Sequence, residues 1–188
     1  MLFLVWTSGI TSRGLVIIET PRLRLRCWRR ADQETFAEMN ADPEVMLDLG
    51  GPISRAASDA KLDRYAVAFR QHGFCRWAVD SRSGDFLGYA GVMPSRPDHP
   101  LGPHFEIGWR LMRNAWGHGY ATEAARAALD DAFGRVGLRE IFAYTAPDNL
   151  RSQAVMDRLR LQRVPSRDFT ADYGGGAWSG LVWVAHPA

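Results

Sequence analysis

Glu106-Ile107-Gly108-Trp109-Arg110-Leu111-Met112, followed after Arg113-Asn114-Ala115 by Trp116-Gly117-His118-Gly119-Tyr120-Ala121-Thr122-Glu123-Ala124, is the stretch on which the reading of this chain turns. Its first part alternates as a strand does: Phe105, Ile107 and Trp109 fall on one side, Glu106, Gly108 and Arg110 on the other. Beyond the glycines, Ala121, Ala125, Ala128, Leu129, Ala132, Phe133 and Val136 form one stripe at helical period, which Gly137 can terminate. Two glycines therefore stand between a strand and the start of the strongest helix. A helix start leaves about four N–H groups without partners and carries partial positive charge. Glycines there let an anion approach the backbone closely, although a tight turn would use them equally well.

Other phosphate-binding and nucleophile motifs do not fit. No Gly-x-x-x-x-Gly-Lys-Ser/Thr sequence occurs, and the only lysine, Lys61, lies in another predicted helix. The third glycine of a dinucleotide fingerprint is replaced by Thr122, and the loop follows three strand-like runs instead of a first strand. Gly-x-Ser-x-Gly is absent as well.

Outward from this centre the order is mixed. Arg22-Leu23-Arg24-Leu25-Arg26-Cys27 alternates, which predicts a strand with Leu23, Leu25 and Cys27 inward and the arginines on a solvated face. Asp32 is placed to cap a short helix that Asp42-Pro43 ends, and Ser54 to cap a second one carrying Leu62, Tyr65, Ala66 and Phe69. Strands are expected over 74–80, 85–93 and 104–112, the first two joined at Ser83-Gly84-Asp85, then over 140–145. Asn149 can cap a last helix to about Leu159, with strands near 161–168 and 178–184 closing the domain. The fold class is mixed α/β, and residues 17–188 are expected to make one domain.

Composition sets the frame. The 188 residues are 46% hydrophobic and 23% charged with a net charge of +2, and the pI is near 8.7. That is ordinary for a soluble globular chain and too mild to point to nucleic acid as the main partner. Two cysteines, Cys27 and Cys75, stand far apart without neighbouring ligand residues, so neither a disulfide framework nor a zinc site is expected. His99 and His104 flank prolines in a loop, and no metal is expected there. Residues 1 to about 16 begin with an apolar run too short to span a membrane and show no cleavage signal, so they read as an extension outside the core. A cytoplasmic protein, monomeric or a homodimer, without membrane attachment is the expectation.

With these residues in view, the central stretch resembles the GNAT N-acetyltransferases, in particular the branch typified by the ribosomal-protein acetyltransferases RimJ and RimL. The resemblance runs from about Glu19 to Val184 and includes Glu19-Thr20-Pro21-Arg22-Leu23-Arg24-Leu25 and Asn149-x-x-Ser152. It implies a mostly antiparallel sheet flanked by helices and splayed between the fourth and fifth predicted strands, which holds acetyl-CoA. Carried over by position, the backbone of Leu111 and Met112 would pair with the pantetheine arm. The amides from Gly117 through His118, Gly119 and Tyr120 to Ala121 would hold the pyrophosphate. Arg113 and Asn114 stand where the family often has Gln or Arg before the loop. Asn149 resembles the residue that bonds pantetheine, and Ser152 would lie near the thioester sulfur.

The implied activity is acetyl transfer to a primary amine, on a peptide N-terminus or a small molecule. A free amine is mostly protonated near neutral pH, so a base or a water relay is needed. Glu106 is the candidate base, with Gly108 on the same face leaving room for an acceptor; pairing with a nearby arginine is the alternative. Ser152 is the candidate acid. A module that binds acyl-CoA without turning it over would use the same loop.

Overall fold

The computed structural model describes residues 16–172 and 176–187. Residues 1–15, nearly all of the extension expected over residues 1 to about 16, lie outside the described residues, as do Tyr173, Gly174 and Gly175. The strands are β1 (Ile17–Glu19), β2 (Leu23–Arg26), β3 (Arg76–Ser81), β4 (Phe86–Pro94), β5 (Phe105–Leu111), β6 (Ile141–Thr145), β7 (Gln162–Arg163), β8 (Phe169–Asp172) and β9 (Ala177–Ala185). The helices are α1 (Asp32–Ala41), α2 (Pro43–Met46), α3 (Arg55–His72), α4 (Tyr120–Gly134) and α5 (Leu150–Arg158).

The sheet runs β1-β2-β3-β4-β5-β6-β9-β7, with β8 added to β9. Every neighbouring pair is antiparallel except β5 and β6, which are parallel. Helices α1 and α3 bring Phe36 and Tyr65 against Tyr89 of β4, while α4 packs across β4 and β5 with Ala124, Ala125, Ala128 and Ala132 buried. These small side chains let the helix lie close to the strands. Among the described residues no helix is long and apolar enough to cross a membrane.

Most predicted elements are present, and the caps at Ser54 and Asn149 accept from Ala57 N and Ser152 N as expected. Three readings are corrected. The run 161–168 holds only the two-residue β7 and a short 3-10 turn, with a further strand, β8, after it. Ala31, not Asp32, occupies the cap position of α1, and no side chain bonds there. Asp32 instead takes both Arg26 and the Arg29 amide.

Arg26 itself is buried, contrary to the solvated face expected for the β2 arginines. It bonds Asp32 at 2.7 Å and Asp80 at 2.5 Å, joining β2, β3 and the start of α1. Arg24 stays exposed beside Glu19. Removing one partner of a buried ion group leaves the others uncompensated, whereas exposed pairs contribute little. Arg26→Ala is therefore expected to cost about 3–5 kcal/mol in urea unfolding, and Arg24→Ala to stay within ~0.5 kcal/mol.

Candidate active site

The glycine loop is built by backbone conformation. A 3-10 turn over Arg113–Ala115 leads out of β5, Gly117 has φ 80°, and Gly119 has φ 77° as it starts α4. Both are left-handed, where a side chain is strained, so glycine is what lets the chain turn into the helix here. Gly117, His118 and Gly119 are exposed, and a Cβ built on Gly117 would meet nothing within 4 Å. Arg22 fixes the loop from outside, donating to the His118 carbonyl at 2.8 Å and to Glu123 at 2.6 Å, while Thr20 donates to the same carboxylate. The opening Thr20-Pro21-Arg22 and the first turn of α4 are thus one clamp. Behind the loop, the buried Thr122 hydroxyl oxygen has no hydrogen-bond partner.

β5 and β6 meet at a single residue pair, Glu106 with Phe142, and diverge beyond it. The direction of the β5 backbone follows from its bonds to β4. Met112 N–H donates to the Leu87 carbonyl, and Ser95 N–H to the His104 carbonyl, both on the register that pairs Gly88 with Leu111. In an antiparallel ladder hydrogen-bonded pairs alternate, so Arg110 and Gly108 also turn their peptide groups to β4. Trp109 and Leu111 turn theirs the other way, into the gap. Met112 was expected to pair with a pantetheine arm; its amide is on the wrong side. Trp109, which shares parity with Leu111, turns its peptide groups into the gap instead. At the mouth of the gap Trp116 donates its indole N–H to the Leu111 carbonyl, and Arg151 of α5 lies 4.3 Å over its ring.

Glu106 is half-buried and bonds Arg76 of β3 at 2.5 Å. A Cβ on Gly108 would fall 1.5 Å from the Arg76 guanidinium. The room beside Glu106 therefore holds this arginine, which corrects the expectation that Gly108 leaves space for an acceptor. Farther along β5, Arg110 bonds the Val45 carbonyl and Asp48, and Asp48 accepts from Asn149 Nδ2 at 2.8 Å. Asn149 uses its other end to cap α5 at Ser152 N, so both its polar atoms are engaged. Ser152 sits partly buried in the first turn of α5. Arg113 leads away from the loop to Asp42 and Glu44, and Asn114 is exposed beside it, so Arg113 is occupied outside the expected site.

A family model described as Acetyltransferase (GNAT) domain matches residues 22–162. The chain belongs to the GNAT acetyltransferase family. It is 35% identical over 147 residues to the uncharacterized protein YkkB of Bacillus subtilis, covering 74% of this chain and 81% of that one. It is 30% identical over 162 residues to the FsC-acetyl coenzyme A-N(2)-transacetylase of Aspergillus fumigatus, covering 82% and 68%. Among solved structures, an acetyltransferase from Agrobacterium tumefaciens superposes with a TM-score of 0.78 at 27% identity, covering 93% of this chain and 96% of that one.

The residues suit the acyl-CoA that GNAT enzymes use. An exposed left-handed glycine loop at a helix start, backed by a buried hydroxyl without a partner, fits a diphosphate. A strand edge on Trp109 and Leu111 that no neighbouring strand pairs, with only the Leu111 carbonyl taken by Trp116, fits an amide-bearing arm. The sheet also brings His99 and His104, for which no role is expected from the sequence, up to Glu106: the three have ligand-type atoms all within 4.8 Å of one another. A cavity of about 640 Å³ opens on the far side of the Glu106–Phe142 bridge, with His104, Phe142 and Arg167 in its wall. It is not the gap that the glycine loop faces. Neither cysteine is primed for chemistry, since burial pushes the Cys27 thiol up to about 11 and Cys75 well above its usual value.

Beneath Glu106, Lys61, Arg76 and Arg110 surround Tyr89, against the two carboxylates Glu106 and Asp48. Burial alone would raise the Tyr89 phenol, but the three cations outweigh it and bring it down to about 7, while burial pushes its neighbour Tyr65 up. One phenol is expected to ionise far below the ordinary range, visible as a tyrosinate band in near-ultraviolet absorption and absent in Tyr89→Phe. Because the folded value lies below the unfolded one of about 10, the stabilisation is complete above the unfolded value and is lost as pH falls through the folded one. The urea midpoint of the wild type should rise relative to Tyr89→Phe between neutral and alkaline pH; parallel pH profiles would contradict the assignment.

Proposed function

We propose that this protein transfers an acetyl group from acetyl-CoA to a primary amine, on a peptide N-terminus or a small molecule. The observation that carries this reading is the gap past the single Glu106–Phe142 pair, with the Trp109 and Leu111 backbone turned into it and the glycine loop at its mouth. An extended arm bearing amides adds to such an edge as a strand would. The amides from Gly117 to Ala121 and the Thr122 hydroxyl would hold the diphosphate. Acetyl-CoA supplies an acyl group on a good leaving group.

Each remaining demand of the reaction has a candidate in the chain. Backbone N–H groups along β5 face the place where negative charge develops on the acyl oxygen, and fixed dipoles there lower the barrier without rearranging. Glu106 lies at the vertex of the gap, where its carboxylate would anchor the acceptor's ammonium and help to remove its proton. With one oxygen bonded to Arg76, it is held in place for that role. Ser152, in the first turn of α5, would supply the proton for the departing thiolate. Asn149 orients that turn through its cap; bonding the pantetheine arm would require exchanging its contact with Asp48.

Thiol release from acetyl-CoA, measured against a panel of peptides, polyamines and aminoglycosides, tests the activity. Release above the rate without amine is expected for at least one class, and Glu106→Gln should lower kcat by roughly 10²–10⁴-fold with acetyl-CoA affinity unchanged. Tight acetyl-CoA binding with no release for any amine would favour a binding module instead. Thr122→Val tests the loop separately. It removes a buried hydroxyl that has no partner, so stability should hold or rise, while acetyl-CoA affinity measured by calorimetry falls by about tenfold, near 1.4 kcal/mol. Undiminished affinity would remove Thr122 from the site.

A further inference from the structure

The two histidines beside Glu106 have their ring protons assigned by backbone groups that can play only one role. Leu101 N–H donates to His99 Nδ1 at 3.2 Å, so Nδ1 is an acceptor and the neutral ring carries its proton on Nε2. Gly102 offers a carbonyl to His104 Nδ1 at 2.8 Å, so that Nδ1 carries the proton and Nε2 is a bare lone pair. The two rings are opposite tautomers, packed 4.7 Å apart, and both Nε2 atoms are buried without a partner. His99 is more than nine-tenths buried. Each ring is held by aromatic neighbours: His99 by Tyr144 and Phe169, His104 by Phe142 and Tyr144. The orphaned atoms are therefore one donor and one acceptor, set beside a carboxylate.

We propose that His99, His104 and Glu106 hold one water molecule that carries the acceptor's ammonium proton to His104 Nε2. This rests on the acetyl-transfer reading and names the proton path within it. Each of the three side chains offers one ligand-type atom within 4.8 Å of the other two, so an oxygen set among them is within hydrogen-bond reach of all three residues. The Nε2 atoms are the ring nitrogens left without a partner to take it. Water suits the set: it accepts from His99 Nε2–H, donates to His104 Nε2 and to the Glu106 carboxylate, and keeps one lone pair for the substrate. In the transfer the ammonium N–H bond breaks as an O–H bond forms on the water, and the water's opposite O–H bond breaks as N–H forms on His104. The amine is left with its lone pair, and His104 becomes an imidazolium next to Glu106. A metal fits worse, because coordination at His99 Nε2 would force a proton onto Nδ1, against the Leu101 N–H.

The surroundings suit a neutral His99. Around the rings stand Glu106 with Arg76 behind it, Asp98 and Arg96 in the loop, Tyr144 of β6, and Arg139, Glu140 and Arg167 about the cavity. Burial, then the neighbouring His104, lowers the pKa of His99, so His99 stays neutral and keeps its donor role.

Two measurements on the full chain test this. Nitrogen-15 imidazole NMR above neutral pH should show one ring protonated at Nε2 and its neighbour at Nδ1, assigned through His99→Gln and His104→Gln. A His104 ring protonated at Nε2, or zinc binding that shifts both Nε2 signals, would overturn the proposal. In thiol-release assays the wild-type kcat/KM should fall on the acid side, where the relay's proton acceptor is already occupied. His104→Gln keeps an acceptor for the water but cannot take the proton. It should lose that limb and about 10²-fold or more in kcat with the KM for acetyl-CoA unchanged. Normal wild-type release with the acid limb intact in His104→Gln would overturn this proposal alone. Absence of release by the wild type with every amine would overturn the acetyl-transfer reading, and the water relay with it.

Discussion

Parallel strands β5 and β6 share one residue pair, and the site follows from what that leaves unpaired. A strand in the middle of a sheet normally has both sides of its backbone satisfied, because buried amides without partners are costly. Here β5 is bonded along its length to β4, while beyond Glu106 its other side faces a gap. The gap is kept open by specific contacts. Trp116 takes the Leu111 carbonyl at the mouth, Arg151 covers the indole, and the Arg110–Asp48–Asn149 chain ties the start of α5 to the turn after α2. The open edge and its walls come from the same few residues.

The charged groups below the gap extend this logic. Arg76 fills the space over Gly108 and fixes Glu106; Arg110, one turn of the pleat farther on, reaches Asp48 and through it the cap of α5. Buried ions of this kind contribute little net stability, and removing one exposes the rest. Their value lies in holding a carboxylate, a helix start and two strands in fixed relation, as a site needs its supporting shell to be rigid. An anionic Tyr89 would balance three cations against two carboxylates without adding another acidic residue.

Local chemistry made much of this legible beforehand. The turn at the glycines, the alanine stripe from Ala121 to Phe133 and the caps at Ser54 and Asn149 depend on neighbours a few residues away, and they stand as read, although α4 ends at Gly134 and not at Gly137. What was misread depends on partners distant in sequence. Arg26 looked like a solvated strand residue because Asp80 lies 54 positions on; Glu106 looked open because Arg76 comes from β3. The difference between Trp109 and Met112 was visible as parity, but only the register with β4 tells which parity faces the gap. His99 and His104, separated by a proline-rich loop, gave no periodic signal, and their opposite tautomers depend on two backbone groups that folding brings to them.

Amide hydrogen exchange on β5, followed residue by residue with and without acetyl-CoA, addresses the central claim most directly. If the cofactor arm completes the open edge of the sheet, the Trp109 and Leu111 amides slow markedly on addition of acetyl-CoA. Those of Arg110 and Met112, already bonded to β4, keep their rates. Protection of Arg110 and Met112 with no change at Trp109 and Leu111, or saturation with acetyl-CoA that leaves all four unaltered, would contradict the account.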